Sequence, residues 1–352
     1  MRRGTKKIQG SAPISACRSE SITKDPEMMQ IISSLPFSSN GYRFEEVIGS
    51  GCFGVVFKVY HDGYKREFAA KMIAFRDNHS EKIETEISLL IRLPHSNIIK
   101  VYGSFRYKNK MVMIFQYCPN GTLKNIIQPN IGIPKESIRP FIIQIVGALT
   151  FLHQKEIAHL DIKTANVFID NFGRPLLADF GLSLHSDVHE RINSYAGSFI
   201  YRSPEMIQQL PYDPFKADVW ALGVTFFIMV TGREPWPLYN IDLMKKCIIE
   251  GKYEIPPTVD PDVSNLIAKM LTVDPAQRPT MEEINNFDFF HNSPMKVKQI
   301  PILRKKDAIT THVSLPRSLR MKANFTRSVL KHHPSIDNIS NVYSENFSSS
   351  IA

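Results

Sequence analysis

The 352-residue chain predicts an α+β fold, a strand-rich N-terminal part followed by a larger helical part, on three observations. Apolar Phe44 to Ile48, a glycine-rich turn over residues 49 to 54, and alternating Val55 to Tyr60 read as strand, tight turn, strand. Ser137 to His153 carries the amphipathic spacing of a long helix. Val219 to Val230 is almost wholly apolar; at twelve residues it is too short to span a bilayer and reads as a core helix. A chain of this length with 43% apolar residues can bury a full core.

Residues 1 to 40 mix Ser, Lys, Arg and single acids without lasting periodicity and are expected to be a disordered basic tail. The folded domain is expected over 41 to 292. In Gly49-Ser50-Gly51-Cys52-Phe53-Gly54 the glycines remove Cβ atoms where backbone must pass close to a ligand, and Val56 offers an apolar wall. A dinucleotide-binding fold would show the same glycines but continue into a helix, whereas β-branched and aromatic residues follow here. Phe68-Ala69-Ala70-Lys71 ends a second apolar run. Ile83, Ile87, Leu90 and Ile91 give the segment Glu81 to Leu93 helical spacing and place Glu86 where it could pair with Lys71. An ordinary surface pair of that kind would be worth ~0 to 1 kcal/mol. Ile114-Phe115-Gln116-Tyr117-Cys118 looks like a hinge into the helical part. Residues 293 to 352, rich in Ser, Asn, Lys and Arg, are expected to be a second, largely disordered tail.

The run His159-Leu160-Asp161-Ile162-Lys163-Thr164-Ala165-Asn166 is followed thirteen residues later by Asp179-Phe180-Gly181. Further on stand Gly197-Ser198-Phe199-Ile200-Tyr201-Arg202-Ser203-Pro204-Glu205, Ala217-Asp218-Val219-Trp220 and Asp274 to Thr280 with Arg278. With the glycine loop, Lys71 and His95-Ser96-Asn97-Ile98-Ile99, these motifs resemble, in order from Gly49 to Arg278, a eukaryotic-type serine/threonine protein kinase over about residues 41 to 292. The resemblance implies a bilobal kinase fold, with a small N-lobe over about 41 to 117 and a C-lobe over about 118 to 292. It implies transfer of the ATP γ-phosphate to serine or threonine with Mg2+. Asp161 and Lys163 would be catalytic, and Asn166 and Asp179 would hold metal. Gly49, Ser50, Gly51, Cys52, Phe53, Gly54, Val56, Ala69, Lys71, Glu86, Phe115, Gln116, Cys118 and Phe168 would surround the nucleotide. Glu205 would pair with Arg278, and Asp218 would anchor the catalytic loop from the long helix.

Departures from the family pattern carry expectations of their own. Leu160 replaces the arginine that receives an activation-loop phosphate, so weak dependence on modification of Ser194 is expected. His159-Leu160-Asp161 resembles Mos- and Wee-type kinases, while Ala217 to Pro237 is more similar to the calmodulin-dependent and AMP-activated group. Ser198 keeps the hydroxyl of the usual threonine. Thr122 and Ala165 stand where arginine-directed kinases place acids, with Glu234 as an acid that could substitute. A pseudokinase scaffold would have lost Lys71, Asp161 or Asp179, and all three are present.

The net charge of +9 lies in the tails: 1 to 40 hold six Lys/Arg against three acids, 301 to 352 eight against three, and the remainder 29 against 28. A neutral core with basic tails argues against a nucleic-acid-binding fold and for solvated tails open to acidic partners or anionic membrane surfaces, while the protein substrates are what the kinase resemblance implies. Leu315 to Leu330 carries Arg317, Arg320, Lys322 and Arg327 with no acid, which leaves contact with calmodulin or an anionic membrane surface as an alternative to a solvated tail. Cys17, Cys52, Cys118 and Cys247 form no C-x-x-C pair, which fits a reducing compartment, cytoplasmic or nuclear, and excludes a zinc module.

Overall fold

The computed structural model describes residues 25–51, 54–74, 91, 93–179 and 196–291. Cys52, Phe53, Glu86, Phe180, Gly181, Ser194 and the segment Leu315 to Leu330 lie outside these described residues.

Alternation builds the N-terminal sheet. Strands β1 (Phe37–Ser39), β2 (Tyr42–Gly51), β3 (Gly54–His61), β4 (Arg66–Ala74), β5 (Val101–Tyr107) and β6 (Lys110–Gln116) form one antiparallel sheet in the order β1-β2-β3-β4-β6-β5. Period-2 geometry sends Val55, Phe57 and Val59, with Phe68, Ala70 and Met72, to one face, where they are buried with Phe44, Val112 and Ile114. Val56, Ala69, Lys71 and Phe115 point to the other face and are only half-buried. Register sets Val56 opposite Lys71 and Ala69 opposite Phe115.

A helix, α1 (Pro26–Ser33), covers the buried face and corrects the expectation that residues before 41 are disordered. Asp25 caps it by accepting the Met28 N–H at 3.0 Å, and Pro26 fits the first turn, whose N–H has no helical partner. Met28, Ile31 and Ile32, spaced i, i+3 and i+4, are at most 8% exposed on the sheet. Lys110, at the start of β6, lies 2.7 Å from Asp25 and 3.2 Å from Glu27 and is itself buried. Two acids neutralise one buried cation, and the helix start is thereby tied to the sheet. One helical turn of apolar residues among Ser and Lys is too short to register as a period.

The helical part packs around α3 (Lys135–Gln154) and α5 (Pro214–Thr231), preceded by the single turn α2 (Leu123–Ile126). A β7 (Val167–Ile169) and β8 (Pro175–Leu177) ribbon follows α3. A 3-10 turn (Ala196–Tyr201) leads into α4 (Pro204–Ile207), and α6 (Ile241–Glu250), α7 (Pro261–Met270), α8 (Met281–Asn285) and α9 (Asp288–His291) complete the bundle. By length and composition α5 could cross a membrane, with a mean hydropathy of 1.3, but 78% of that window is buried inside the fold, so its apolar sides are occupied by the core. Asp213 caps α5 by accepting from Phe215 N–H at 2.8 Å, and Gly232 ends it at φ 68°.

The sheet meets the helical part through the segment His95 to Ile99. Asn97, 6% exposed, donates to Gln144 Oε1 at 2.8 Å and Pro175 O at 2.9 Å. Its own carbonyl accepts from Leu177 N–H at 2.8 Å, and Leu177 O accepts from Ile99 N–H at 2.8 Å. The chain entering β5 is thus fixed to the strand that delivers Asp179.

Candidate active site

The loop from His159 to Asn166 takes its shape from one buried carboxylate. Asp218, 1% exposed on α5, accepts the N–H of His159 at 2.6 Å and of Leu160 at 2.7 Å, and lies 3.0 Å from His153 Nε2. Bonds to an ionised acceptor are the strong kind, and they hold Leu160 in the left-handed region at φ 62°. His159, fully buried, accepts the Asp161 N–H at Nδ1 (3.3 Å) and donates from Nε2 to Ala178 O (3.2 Å). That ring therefore spaces Asp161 from the strand end carrying Asp179.

Asp161 is the meeting point. Lys163 Nζ lies 2.8 Å from its Oδ1 and 2.7 Å from its Oδ2. Asn166 Nδ2 donates to its Oδ2 and to its backbone carbonyl, both at 2.8 Å. The i, i+2, i+5 spacing read in the sequence thus folds three side chains onto one point. Across the site Lys71 Nζ lies 2.6 Å from Asp179 Oδ1, which joins a strand of the small sheet to the strand end of the large part. Asp179 sits at φ 68°. Burial alone would raise its carboxyl, but the charge and hydrogen bond of Lys71, then the charge of Lys163, outweigh that and hold it below the usual carboxylate range. Asp179 is therefore ionised at neutral pH.

The other residues that the resemblance places around a nucleotide lie on the half-buried sheet face and the hinge, apart from those outside the described residues. Gly49 pairs with Val56, Ser50 with Val55 and Gly51 with Gly54 across the β2–β3 hairpin. At Gly54, φ is 134° and a Cβ would stand 2.1 Å from Met72 O, so only glycine fits. A Cβ on Gly49 would meet nothing nearer than Val56 at 3.7 Å, so the fold does not itself demand glycine there. Its bareness leaves room for a phosphate chain over the hairpin. Val56, Ala69, Lys71 and Phe115 share that face, and Gln116 leads to Cys118, whose Sγ is 3.9 Å from Gln116 O. Burial pushes the Cys118 thiol up to about 12, so it stands there as a small apolar residue and not a nucleophile. Phe168 on β7 forms an isolated antiparallel bridge with Thr122.

The donor set suits magnesium. Among the described residues no group of three or more His, Cys, Asp or Glu converges to hold a metal. Asp179 offers carboxylate oxygen, and Asn166, whose NH2 is spent on Asp161, has its amide oxygen left as a second hard ligand. Mg2+ takes one or two protein oxygens and completes its shell with phosphate and water, so two ligands are enough.

Three anchors were less legible in the sequence. Thr164 Oγ1 lies 3.2 Å from Tyr201 OH, and Trp236 Nε1 donates to Ile200 O at 3.0 Å, so the turn before α4 is tied to the loop from His159 to Asn166 and to the bundle. His153, read only as a helix position, supports Asp218. The Glu205–Arg278 pair, in contrast, was predicted: Arg278, fully buried, meets Glu205 at 2.8 and 3.0 Å and donates to Thr272, Val273 and Lys216 carbonyls. Its guanidinium also stacks on Trp220, 5.0 Å from the ring centre.

Comparison with known proteins finds similar chains among the protein kinases. A rice protein, CBL-interacting protein kinase 25 (Oryza sativa subsp. japonica), is 30% identical over 71% of this chain and 51% of its own length. Mouse (Mus musculus) serine/threonine-protein kinase SIK1 is 30% identical over 75% of this chain and 34% of its own, and mouse putative sperm motility kinase W is 33% identical over 69% and 49%. The chain thus spans about half or less of the length of these relatives, and relatives of different names match it about equally. The sequence model of the protein kinase domain matches residues 42–290, and the chain belongs to that family.

Proposed function

We propose that this protein phosphorylates serine or threonine hydroxyls of other proteins, taking the γ-phosphoryl group of ATP in the presence of Mg2+. The observation that carries the reading is the convergence of Lys163 and Asn166 on Asp161 at 2.7 to 2.8 Å, opposite the Lys71–Asp179 pair. Asp161 accepts the proton of the acceptor hydroxyl and orients it in line with the phosphoryl group. Lys163 holds that carboxylate at both oxygens and places a positive charge where the transferring group would carry its negative charge. Lys71 steadies the phosphates beneath the glycine hairpin. Asn166 and Asp179 would hold magnesium, which supplies neutralisation of phosphate charge when bound. His159 and Asp218 orient the loop without touching the reacting atoms. A reducing compartment, cytoplasmic or nuclear, and a role in intracellular signalling accompany this reading.

Asp161→Asn tests it. Labelled phosphate transfer from ATP to a Ser/Thr peptide library should fall on the order of a hundredfold or more, while nucleotide binding measured by calorimetry stays at the wild-type value. Wild-type turnover in the variant, or no transfer by the wild-type enzyme to any peptide or protein, would overturn the assignment.

A further inference from the structure

The face of the sheet that α1 covers is open at its other end. Lys110 and its two acids tie α1 to the start of β6, whereas Gln116, which ends β6, pairs with Phe68 on β4. At that far end the face is aromatic. Phe68, 4% exposed, meets Tyr42 at 5.7 Å, Tyr64 at 6.4 Å and Tyr102 at 5.1 Å between ring centres, each edge to face. Arg66 stands two residues before Phe68 and so shares its face, with the guanidinium 5.6 Å from the centres of both the Phe68 and the Tyr102 rings. Lys100, from the segment entering β5, brings its ammonium to 5.2 Å from the same Tyr102 ring, and its carbonyl accepts the Gln116 N–H at 2.9 Å. Both cations are exposed, and among the described residues neither makes an ion pair. The two acids of the adjoining hairpin are engaged elsewhere: Glu67 lies 2.7 Å from Lys58, and Asp62 lies 3.4 Å from Arg43. Contact with a ring fixes a cation in place without neutralising it.

We propose that Arg66 and Lys100, held around Tyr102, form a docking site for a partner protein segment that carries a phosphate or carboxylate side chain. A guanidinium seated against two perpendicular rings presents its fork to either anion and loses little freedom on binding. Tyr64, 67% exposed, offers an apolar wall for a residue beside that anion. A nucleic-acid strand would need successive open rings, but Phe68 is buried and Tyr102 is already engaged by the two cations. Arg66, Lys100 and the neighbouring Lys65 are also fewer than the about four to eight basic residues of a membrane-binding cluster. Val56, Ala69 and Lys71 lie on the opposite face, so the site is separate from the nucleotide side.

The test measures binding and needs no turnover. Fluorescent peptides without Ser, Thr or Tyr acceptors, carrying phosphoserine, Asp, Glu, Ala or Arg at one central position beside Leu or Phe, are titrated with the full-length protein. The anionic peptides should bind more tightly than the Ala peptide and weaken with salt, and the phosphoserine and Asp arms tell phosphate from carboxylate. Because the basic tails also attract anions, the site is read from the difference between variants. Arg66→Ala with Lys100→Ala, two surface changes whose folding is checked by thermal melting, should weaken the anionic peptides by about tenfold and leave the Ala peptide and ATP affinity unchanged. Arg66→Lys keeps the charge but not the fork and should cost about threefold. Saturating ATP and Mg2+ should displace none of the peptides. An anionic preference that is missing, that survives the double substitution, or that ATP abolishes overturns the site. Loss of binding to phosphatidylserine vesicles in the double variant, with every peptide unaffected, overturns it in favour of a membrane surface.

Discussion

Asp218 accepts the backbone N–H of Leu160 at 2.7 Å while Leu160 sits at φ 62°. A residue other than glycine in that region costs roughly 1 to 2 kcal/mol, and the bonds from Asp218 to the His159 and Leu160 amides offset it. Asp218→Asn keeps the shape but turns an NH2 toward one of those N–H groups. The expected result is a fall in kcat on the order of tenfold to a hundredfold, with nucleotide affinity unchanged, because Lys71 and the hairpin are untouched. Leu160→Gly in the same background should recover part of the loss by relieving the strain. Steady-state kinetics of both variants check this, and a loss seen only in KM would contradict a positioning role.

The α1 helix gives a prediction outside the site. Ile31 is 1% exposed against the sheet, and truncating such a residue leaves a cavity. Ile31→Ala should cost about 2 to 5 kcal/mol in urea unfolding, with kcat at low temperature near wild type. Asp25 adds a pH signature. Its hydrogen bond to Lys110, foremost, holds its carboxyl below the ordinary value against a smaller effect of burial. Its contribution to stability is therefore present above about pH 3.9 and lost as the pH falls further. Asp25→Asn should remove that acid-side loss.

Most of the proposed catalytic set was legible because it is local in sequence. Asp161, Lys163 and Asn166 lie within one loop, and the resemblance implied that they act together. The hairpin around Gly54 was equally legible, since glycine and β-branched runs act over a few residues. Lys71 and Asp179, 108 positions apart, were not paired from the sequence, which offered Glu86 as the partner of Lys71; their contact is visible only in the fold. Tyr201 with Thr164, Trp236 with Ile200, and Asn97 with Pro175 rest on long-range hydrogen bonds that leave no periodic trace. The α1 helix escaped for a different reason: four apolar residues in a polar tail are a weak signal until a sheet is there to receive them.

Glu205 and Arg278 should behave as a buried pair that cannot lose one member. Burial would raise the Glu205 carboxyl, but the Arg278 hydrogen bonds and charge outweigh it and hold it below the ordinary value. A depressed folded value means that the pair's contribution is complete above about pH 4.3 and lost as the pH falls through the lower folded value. Glu205→Gln should cost about 3 to 5 kcal/mol at neutral pH, since it leaves Arg278 charged and buried. Thermal melting from pH 7 down to pH 3 should show the gap between wild type and variant narrowing at the acid end. A gap independent of pH would show that packing, and not charge, sets the cost.

Phosphate control should be weak, and Leu160 is the reason. An arginine in that place would be a cation needing an anion, and a phosphate arriving on Ser194 could order the segment by pairing with it. Leucine offers no such charge. The backbone at 160 is instead held from inside by Asp218, and the far end of the segment is held by Glu205 against Arg278, neither of which needs modification. Ser194→Ala, and wild-type enzyme treated with phosphatase, should each keep kcat/KM within about threefold of the untreated protein, or ~0.65 kcal/mol of barrier. Arg191 and Arg202 are the cations on that segment that could rebuild a switch, so Ser194→Asp is the informative companion. If dephosphorylation and Ser194→Ala both cost on the order of a hundredfold, ~2.7 kcal/mol, and Ser194→Asp restores the rate, the switch is rebuilt on one of those arginines and Leu160 does not exempt the enzyme from it.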